Sequence, residues 1–457
     1  MTYTYLFSKQ FIQIISSRFI KLKNKLSLYF SYLIGPKDTW KKLNRCDVLL
    51  MCHDGDRGIM LNGRAYSPLI DSIGDDLISR GWNCESLALS TSFLVGDLAY
   101  NSPKSANRII NRNNILYRIL KAILKYSYRP WYNKISKYNF LLIKSYSKIF
   151  KLTKCKCIFI IGARKEICIA ARIHKIKVVE VLHAMGYSPI PKKFSGAYGG
   201  SIPWGFDKRE TKALPDLILS FDPKSTKTFS VLTDLDVRIQ EIPHPWLKLY
   251  DNFDNIPNEW KNDTSIRDKL KQTVLVTLSW SYDFDHPHYK GILSNGIIPE
   301  SLVNLIKRTQ NSVFWLIRLH PVQLRNKQYL HHIEYVETMV SNLQNCEWES
   351  SSNLPLPIVL KNCDCHISMD SMVCYEAAIY GKPSLLLCPT LKTGGFNELK
   401  FNDLKEEGYV LLGNINDDDN ILEWITNSKS LKERHSISSN SWNGIVKYLL
   451  GSIRKIK

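Results

Sequence analysis

The feature that most restricts the fold is one local pattern, repeated: a short, strand-like and mostly apolar run stops at a polar residue or glycine, and in many cases an amphipathic stretch follows. Such runs stand at 47–52 (DVLLMC), 157–161, 178–182, 217–221 and 237–242. A second series stands at 273–280 (TVLVTLSW), 313–321 (VFWLIRLHP), 363–368 (CDCHIS), 383–389 (PSLLLCP) and 409–412 (YVLL), with a shorter run at 346–349. Runs this short and this apolar are strands buried on both faces, as in parallel sheets. Between them lie stretches with helical periodicity. The one at 68–80 carries Leu69, Ile73, Leu77 and Ile78 on one face and stops at Gly81, and others are expected at 165–174, 299–309, 329–343 and 371–380. Strand and helix in alternation predict an α/β chain whose sheets are covered by helices and whose ligands gather at the carboxyl ends of the strands.

Between the two series, at 242–271, the text turns rich in Pro, Asn, Asp and aromatics, as a linker does. With 457 residues, 44% of them hydrophobic, the chain can fill two cores. The expected division is a basic amphipathic segment at 1–40, a first domain at 41–250 with a basic helical insertion at 100–156, a second domain at 251–430, and a helical tail at 431–457.

A formal charge of +20 calls for an anionic partner, and its distribution says which. Neither 1–37 nor 100–165 contains an Asp or Glu. In both, Lys and Arg interleave with aliphatic and aromatic residues, as in ILYRILKAILKY, and Phe7, Phe11, Ile15 and Phe19 recur every fourth residue. That is the pattern of a helix lying in a lipid headgroup layer. No recognised nucleic-acid module is visible, so the expected partner is an anionic membrane surface and not nucleic acid. No run reaches the ~18 apolar residues of a spanning helix. Eleven cysteines, an odd number in a long chain without a secretory signal, read as reduced thiols. The C-x-C pairs Cys155/Cys157 and Cys363/Cys365 sit in strand-like runs and lack zinc-ligand spacing. The expected location is the cytoplasm, peripheral to the inner face of the cell membrane.

The most specific text is CDCHISMDSMVCYEAAIYGKPSLLLCP at 363–389. A strand ends in Ser368 and Ser371 and a helix opens at once, so hydroxyls and backbone N–H groups converge as they do around phosphates. Glu376, further along that helix, can accept hydrogen bonds from a ribose diol. This segment resembles the donor-binding segment of GT-B glycosyltransferases. In FWLIRLHPVQLR, an apolar strand ends in Arg318, His320 and Pro321, and the R-x-H-P end resembles glycerophosphate polymerases, sialyltransferases and transferases for 3-deoxy-manno-octulosonic acid. The resemblance implies a GT-B fold, two Rossmann-like domains facing each other across a cleft. It also implies a nucleotide-sugar co-substrate, CMP- or UDP-linked, with no further cofactor.

On that resemblance Ser279, Arg318, His320, Ser368, Ser371 and Glu376 are the expected donor contacts. VVEVLHAMG places His183 at another strand end, where related enzymes carry Q-H-G, although Leu182 and Ala184 depart from that motif. Asp54, in CHDGDRG, is the favoured catalytic base with His183, and Asp56, Arg57 or His53 could take the role instead. His53, Arg57 and Arg64 are the expected acceptor-side residues. No D-x-D motif stands at a strand end, so no metal is expected. The implied activity is a metal-independent glycosyltransferase acting on a lipid-linked or oligosaccharide acceptor in bacterial surface-glycan synthesis such as O-antigen, capsule or lipopolysaccharide. The alternatives are a glycerophosphate-type transferase or a nucleotide-sugar epimerase on the same fold, and more remotely a nucleic-acid-binding protein.

Overall fold

The computed structural model describes residues 37–451 except 54–55, 58, 62, 90–102, 128–137, 191–199, 250–270, 284–288, 290, 326–328 and 435–439. The basic segment at 1–40 therefore lies almost wholly outside the described residues, as does Asp54.

The first series of apolar runs forms one parallel sheet: β1 (Val48–His53), β4 (Cys84–Leu89), β5 (Lys104–Ser105), β6 (Cys157–Ile160), β7 (Lys177–Val181), β8 (Leu217–Ser220) and β9 (Arg238–Glu241), ordered β5-β4-β1-β6-β7-β8-β9. The second forms another, from β10 (Gln272–Thr277), β11 (Val313–Arg318), β12 (Cys346–Glu347), β13 (Cys365–Ser368), β14 (Ser384–Leu386) and β15 (Val410–Leu412), ordered β12-β11-β10-β13-β14-β15. Each sheet starts in its middle, builds to one edge, then returns and builds to the other. That order is the doubly wound Rossmann arrangement, with its switch point between β1 and β6 in one sheet and between β10 and β13 in the other. Strand interiors explain the unbroken apolar text: every residue of β6 and β8 is buried.

Two details differ from the sequence expectation. The polar stretch after β1 contains a small antiparallel hairpin, β2 (Ile59–Leu61) paired with β3 (Arg64–Tyr66). Gly63 closes its tight turn at φ 71, a conformation that costs glycine little. The strand β4, CESLAL, went unread because its first half is polar and only half-buried.

The insertion at 100–156 folds as two helices, Asn107–Ser127 and Phe140–Thr153. The C-terminal helix Asn440–Leu450 crosses back to the first domain. There the Trp442 indole donates to Asp76 Oδ2 at 2.8 Å and its ring lies 6.1 Å from that of Phe159. No helix among the described residues is long and apolar enough to cross a membrane. Ten of the eleven cysteines are buried, and all are free thiols.

Candidate active site

The switch points put the carboxyl ends of β1 and β6 opposite those of β10 and β13, so sheet topology alone selects the residues at the cleft. From the first domain come His53, ending β1, and Asp56 in the turn after it. His183, just past β7, completes the group. Asp56 is buried and bridges the two imidazoles: Oδ1 lies 2.7 Å from His183 Nδ1, and Oδ2 lies 3.1 Å from His53 Nε2. Burial works to raise the Asp56 carboxyl, but His183 and His53 outweigh it and hold the group below the usual carboxylate range. The Asp56 carboxylate in turn lifts the His183 imidazole above its ordinary value, against the effect of burial. An ionised Asp56 can only accept, so His183 donates Nδ1–H to it and its Nε2 lone pair stays available, on a side chain about half exposed (51%).

The loop carrying His183 is held from below. Asp222 Oδ2 accepts from Gly186 N at 2.9 Å, and Ser225 Oγ accepts from Tyr187 N at 3.0 Å. Beneath the neighbouring turn, Glu180 is fully buried in β7 and accepts from Gly162 N at 2.9 Å and Ala163 N at 2.6 Å. Burial raises the Glu180 carboxyl to about 7, although these two N–H groups and Arg209 act in the opposite direction.

From the second domain come Ser279, after β10, and His320, after β11. The Ser279 hydroxyl pairs with Ser281 Oγ at 2.8 Å, and the Trp280 ring stands 6.3 Å from His320. His320 Nδ1 accepts from Val322 N at 3.1 Å, so its proton is on Nε2. Burial, then His183 and Arg318, depress its pKa to about 3, leaving a neutral donor. Ser371 Oγ accepts from Val373 N at the start of the helix Val373–Ile379. In that helix Glu376 has one buried carboxyl oxygen without a hydrogen-bond partner, and burial raises the group to about 7 while His183 pulls it down. The His183 imidazole is among the groups that lower both the His320 and the Glu376 pKa.

Three expected contacts take internal roles. Arg57 is 1% exposed and is clamped by both Asp71 oxygens, with Ala65 O as a further acceptor, so it pins the hairpin β2–β3 instead of facing an acceptor. Arg318 donates to the carbonyls of Ser351 and Leu354, which diverts its guanidinium from a phosphate. Ser368 donates to Thr277 O at 3.0 Å and accepts from Ser371 N, tying β13 to β10. Arg64 stands in β3, and its side chain lies outside what is described.

Sequence reading missed several groups that line the same space. A cavity of about 610 Å³ between the domains is bordered by His53, Gly162 and His183 on one side, Met372 and Lys400 on the other, and Trp204. Trp204 holds φ 61, a strained conformation for a bulky residue, beside Tyr187 and Phe229 at ring distances of 5.0 and 5.8 Å. Lys400 donates to Asp370 O at 2.7 Å and to Asp370 Oδ2 at 3.2 Å. Asp370 also accepts from the Tyr282 and Tyr289 hydroxyls at 3.0 and 3.2 Å. These partners are about 80 residues apart in the chain, and no local spacing could have revealed them.

His53, Asp56 and His183 each offer a ligand atom within 4.8 Å of the others, so among the described residues they form a group able to hold a metal ion. As a proton-handling group the pair Asp56–His183 stands closest, while the buried Asp56 Oδ2 and His53 Nδ1 have no hydrogen-bond partner.

The domains also touch at the wall of this cavity. Lys224 of the first domain donates to Asp403 Oδ1 at 2.9 Å and to Leu399 O at 3.2 Å, and the Tyr375 hydroxyl donates to Asp403 at 2.7 Å. Gly186, at φ 72, lies flat against the Tyr375 ring, where an added Cβ would come within 2.0 Å of it.

Two parallel Rossmann-like sheets facing each other across a cleft make this a GT-B fold. The UDP-GlcNAc 2-epimerase of Methanocaldococcus jannaschii, in complex with UDP-GlcNAc and UDP, superposes with a TM-score of 0.53 at 13% identity, over 88% of this chain and 99% of that one. The UDP-GlcNAc 2-epimerase of Neisseria meningitidis, bound to UDP-GlcNAc, superposes with a TM-score of 0.52 at 15% identity, over 89% and 100%. No protein-family description matches the chain, and no curated protein matches it in sequence.

Proposed function

We propose that the protein is a glycosyltransferase that moves a sugar from a nucleotide-activated donor to a hydroxyl of a lipid-linked or oligosaccharide acceptor at the inner face of a membrane. The observation that carries the reading is the Asp56–His183 pair, with His183 on the wall of a cavity between the two domains that Met372 and Lys400 border from the other side. In this reading His183 Nε2 takes the proton of the acceptor hydroxyl as its oxygen bonds to the anomeric carbon, and Asp56 stabilises the imidazolium that forms. The bond from the anomeric carbon to the phosphate oxygen breaks, and its electron pair stays on the departing phosphate. Ser279, Ser371 and the His320 Nε2–H are the donors that would receive that charge, with the Lys400 ammonium nearby. Glu376 would hold the ribose, and the aromatic wall at Trp204 and Tyr187 offers stacking area to an acceptor sugar.

In this reading Asp56 supports His183 as the base, whereas the sequence favoured Asp54 itself as the base and named Asp56 among the alternatives. A CMP- or UDP-linked sugar remains the expected donor, and the UDP-GlcNAc bound by the similar structures makes UDP the first to test.

One observation favours a second reading. Glu376, raised to about 7 by burial and pulled down in part by His183, would with His183 give the two proton-handling groups that a nucleotide-sugar epimerase requires. Incubating the enzyme with a panel of nucleotide sugars, with and without membrane-extracted acceptor, separates the two. Acceptor-dependent release of nucleotide supports transfer. Conversion of the donor to its epimer with no acceptor present overturns it in favour of epimerisation.

A further inference from the structure

The helix Asn107–Ser127 is longer than the body it packs on. It runs antiparallel to the helix Phe140–Thr153, with Asn113 Nδ2 at 2.6 Å from Ser145 Oγ, Asn139 Nδ2 at 3.2 Å from Asn114 Oδ1, and the Tyr117 and Phe140 rings 6.4 Å apart. Tyr117 is thus level with the first residue of its partner helix. That end of the partner lies at the carboxyl edge of the first sheet, because Asn139 N donates to Glu166 at the start of the helix that follows β6. The remaining ten residues, 118–127, extend about 15 Å further on the side where the cleft opens.

Leu116, Ile119 and Ile123 lie on one face of this helix and are 44%, 51% and 55% exposed. Three neighbouring large aliphatics on one face cost solvation unless something covers them. Arg112 lies one turn before Leu116 on the same face, and no acidic residue occurs from 100 to 165. A second copy of this helix would set like charge against like, whereas an anionic bilayer matches both the apolar face and the charge.

We infer that helix Asn107–Ser127 from Leu116 onward is the membrane-docking element, inserting Leu116, Ile119 and Ile123 among acyl chains and thereby turning the open side of the cleft toward the lipid plane. This deepens the proposed use of a lipid-linked acceptor, and rests on that reading for its purpose.

The test is co-sedimentation of the full chain with vesicles of phosphatidylcholine, with and without phosphatidylglycerol, at low and high salt. It is run for wild type, for Leu116→Ser/Ile119→Ser/Ile123→Ser and for Arg112→Glu. Wild type should prefer anionic vesicles and lose that preference in high salt. Each variant should partition about tenfold or more weakly while its melting temperature and nucleotide-sugar hydrolysis stay at the wild-type level. Wild-type vesicle binding by the serine variant would overturn the assignment, as would equal binding of wild type to neutral and anionic vesicles. A dimer in gel filtration that the serine substitutions dissolve would give the face to a second copy instead. Vesicle binding by an enzyme inert to every nucleotide sugar would sink the functional reading and leave the docking assignment standing.

Discussion

Glu180→Gln should weaken the protein in mild acid and leave it almost unchanged in mild alkali. The wild-type carboxyl is fully buried and is raised by that burial from 4.5 to about 7. For an acid shifted upward on folding, the stabilising contribution is complete below the unfolded value and is lost as pH rises through the folded one, here between 4.5 and about 7. At 1.36 kcal/mol per unit this amounts to about 3 kcal/mol. The amide has no such slope. It has, however, one acceptor oxygen where the carboxyl has two, so its NH₂ meets either Gly162 N–H or Ala163 N–H and strands a buried donor, at a cost of about 1–3 kcal/mol. At about pH 5 the variant should therefore be less stable by that amount, and by about pH 8 the gap should close or reverse. Urea unfolding of both proteins across this range measures it. Stability curves that run parallel would refute the argument, because Glu180 would then carry the same protonation state folded and unfolded.

Four other outcomes are expected. His183→Ala and Asp56→Asn should lower turnover by roughly 10²- to 10⁴-fold while nucleotide-sugar binding, read by thermal shift, persists; equal loss of binding would make the pair structural. Glu376→Gln should raise the donor KM more than it lowers kcat, and the opposite split would move Glu376 from ribose holding to proton transfer. Gly186→Ala should destabilise by about 1–3 kcal/mol through its backbone conformation and the Tyr375 ring, with a melting curve at wild-type temperature as the contrary result. Activity should persist in a chelator; loss restored by stoichiometric divalent ion would reassign His53, Asp56 and His183 as metal ligands.

Much of this architecture was legible because central strands buried on both faces must be written in uninterrupted apolar text. β1, β6, β7 and β8 of the first sheet, and β10, β11, β13 and β14 of the second, stand where the pattern put them. Edges were harder to see, since β4 is half polar and β5 is only two residues long. At the site, strand ends named His53, His183, Ser279 and His320, because sheet topology leads a strand end to the cleft. Sequence could not say which way a side chain turns there. Arg318 and Ser368 end strands as expected, yet their hydrogen bonds run back into the protein. Nor could it find Asp370, whose partners are assembled only by folding.

The meeting of Gly186 with the Tyr375 ring bears on how the two halves can move. A backbone lying against a ring without room for one methyl group works as a pivot bearing: the halves cannot approach further there, but they can swing about it. Lys224 and Asp403 lie beside that point, so a few degrees of rotation would stretch their ion pair little while displacing parts of the cleft further from it by more. Closure of the cleft would then be a wrist-like turn about this fixed contact.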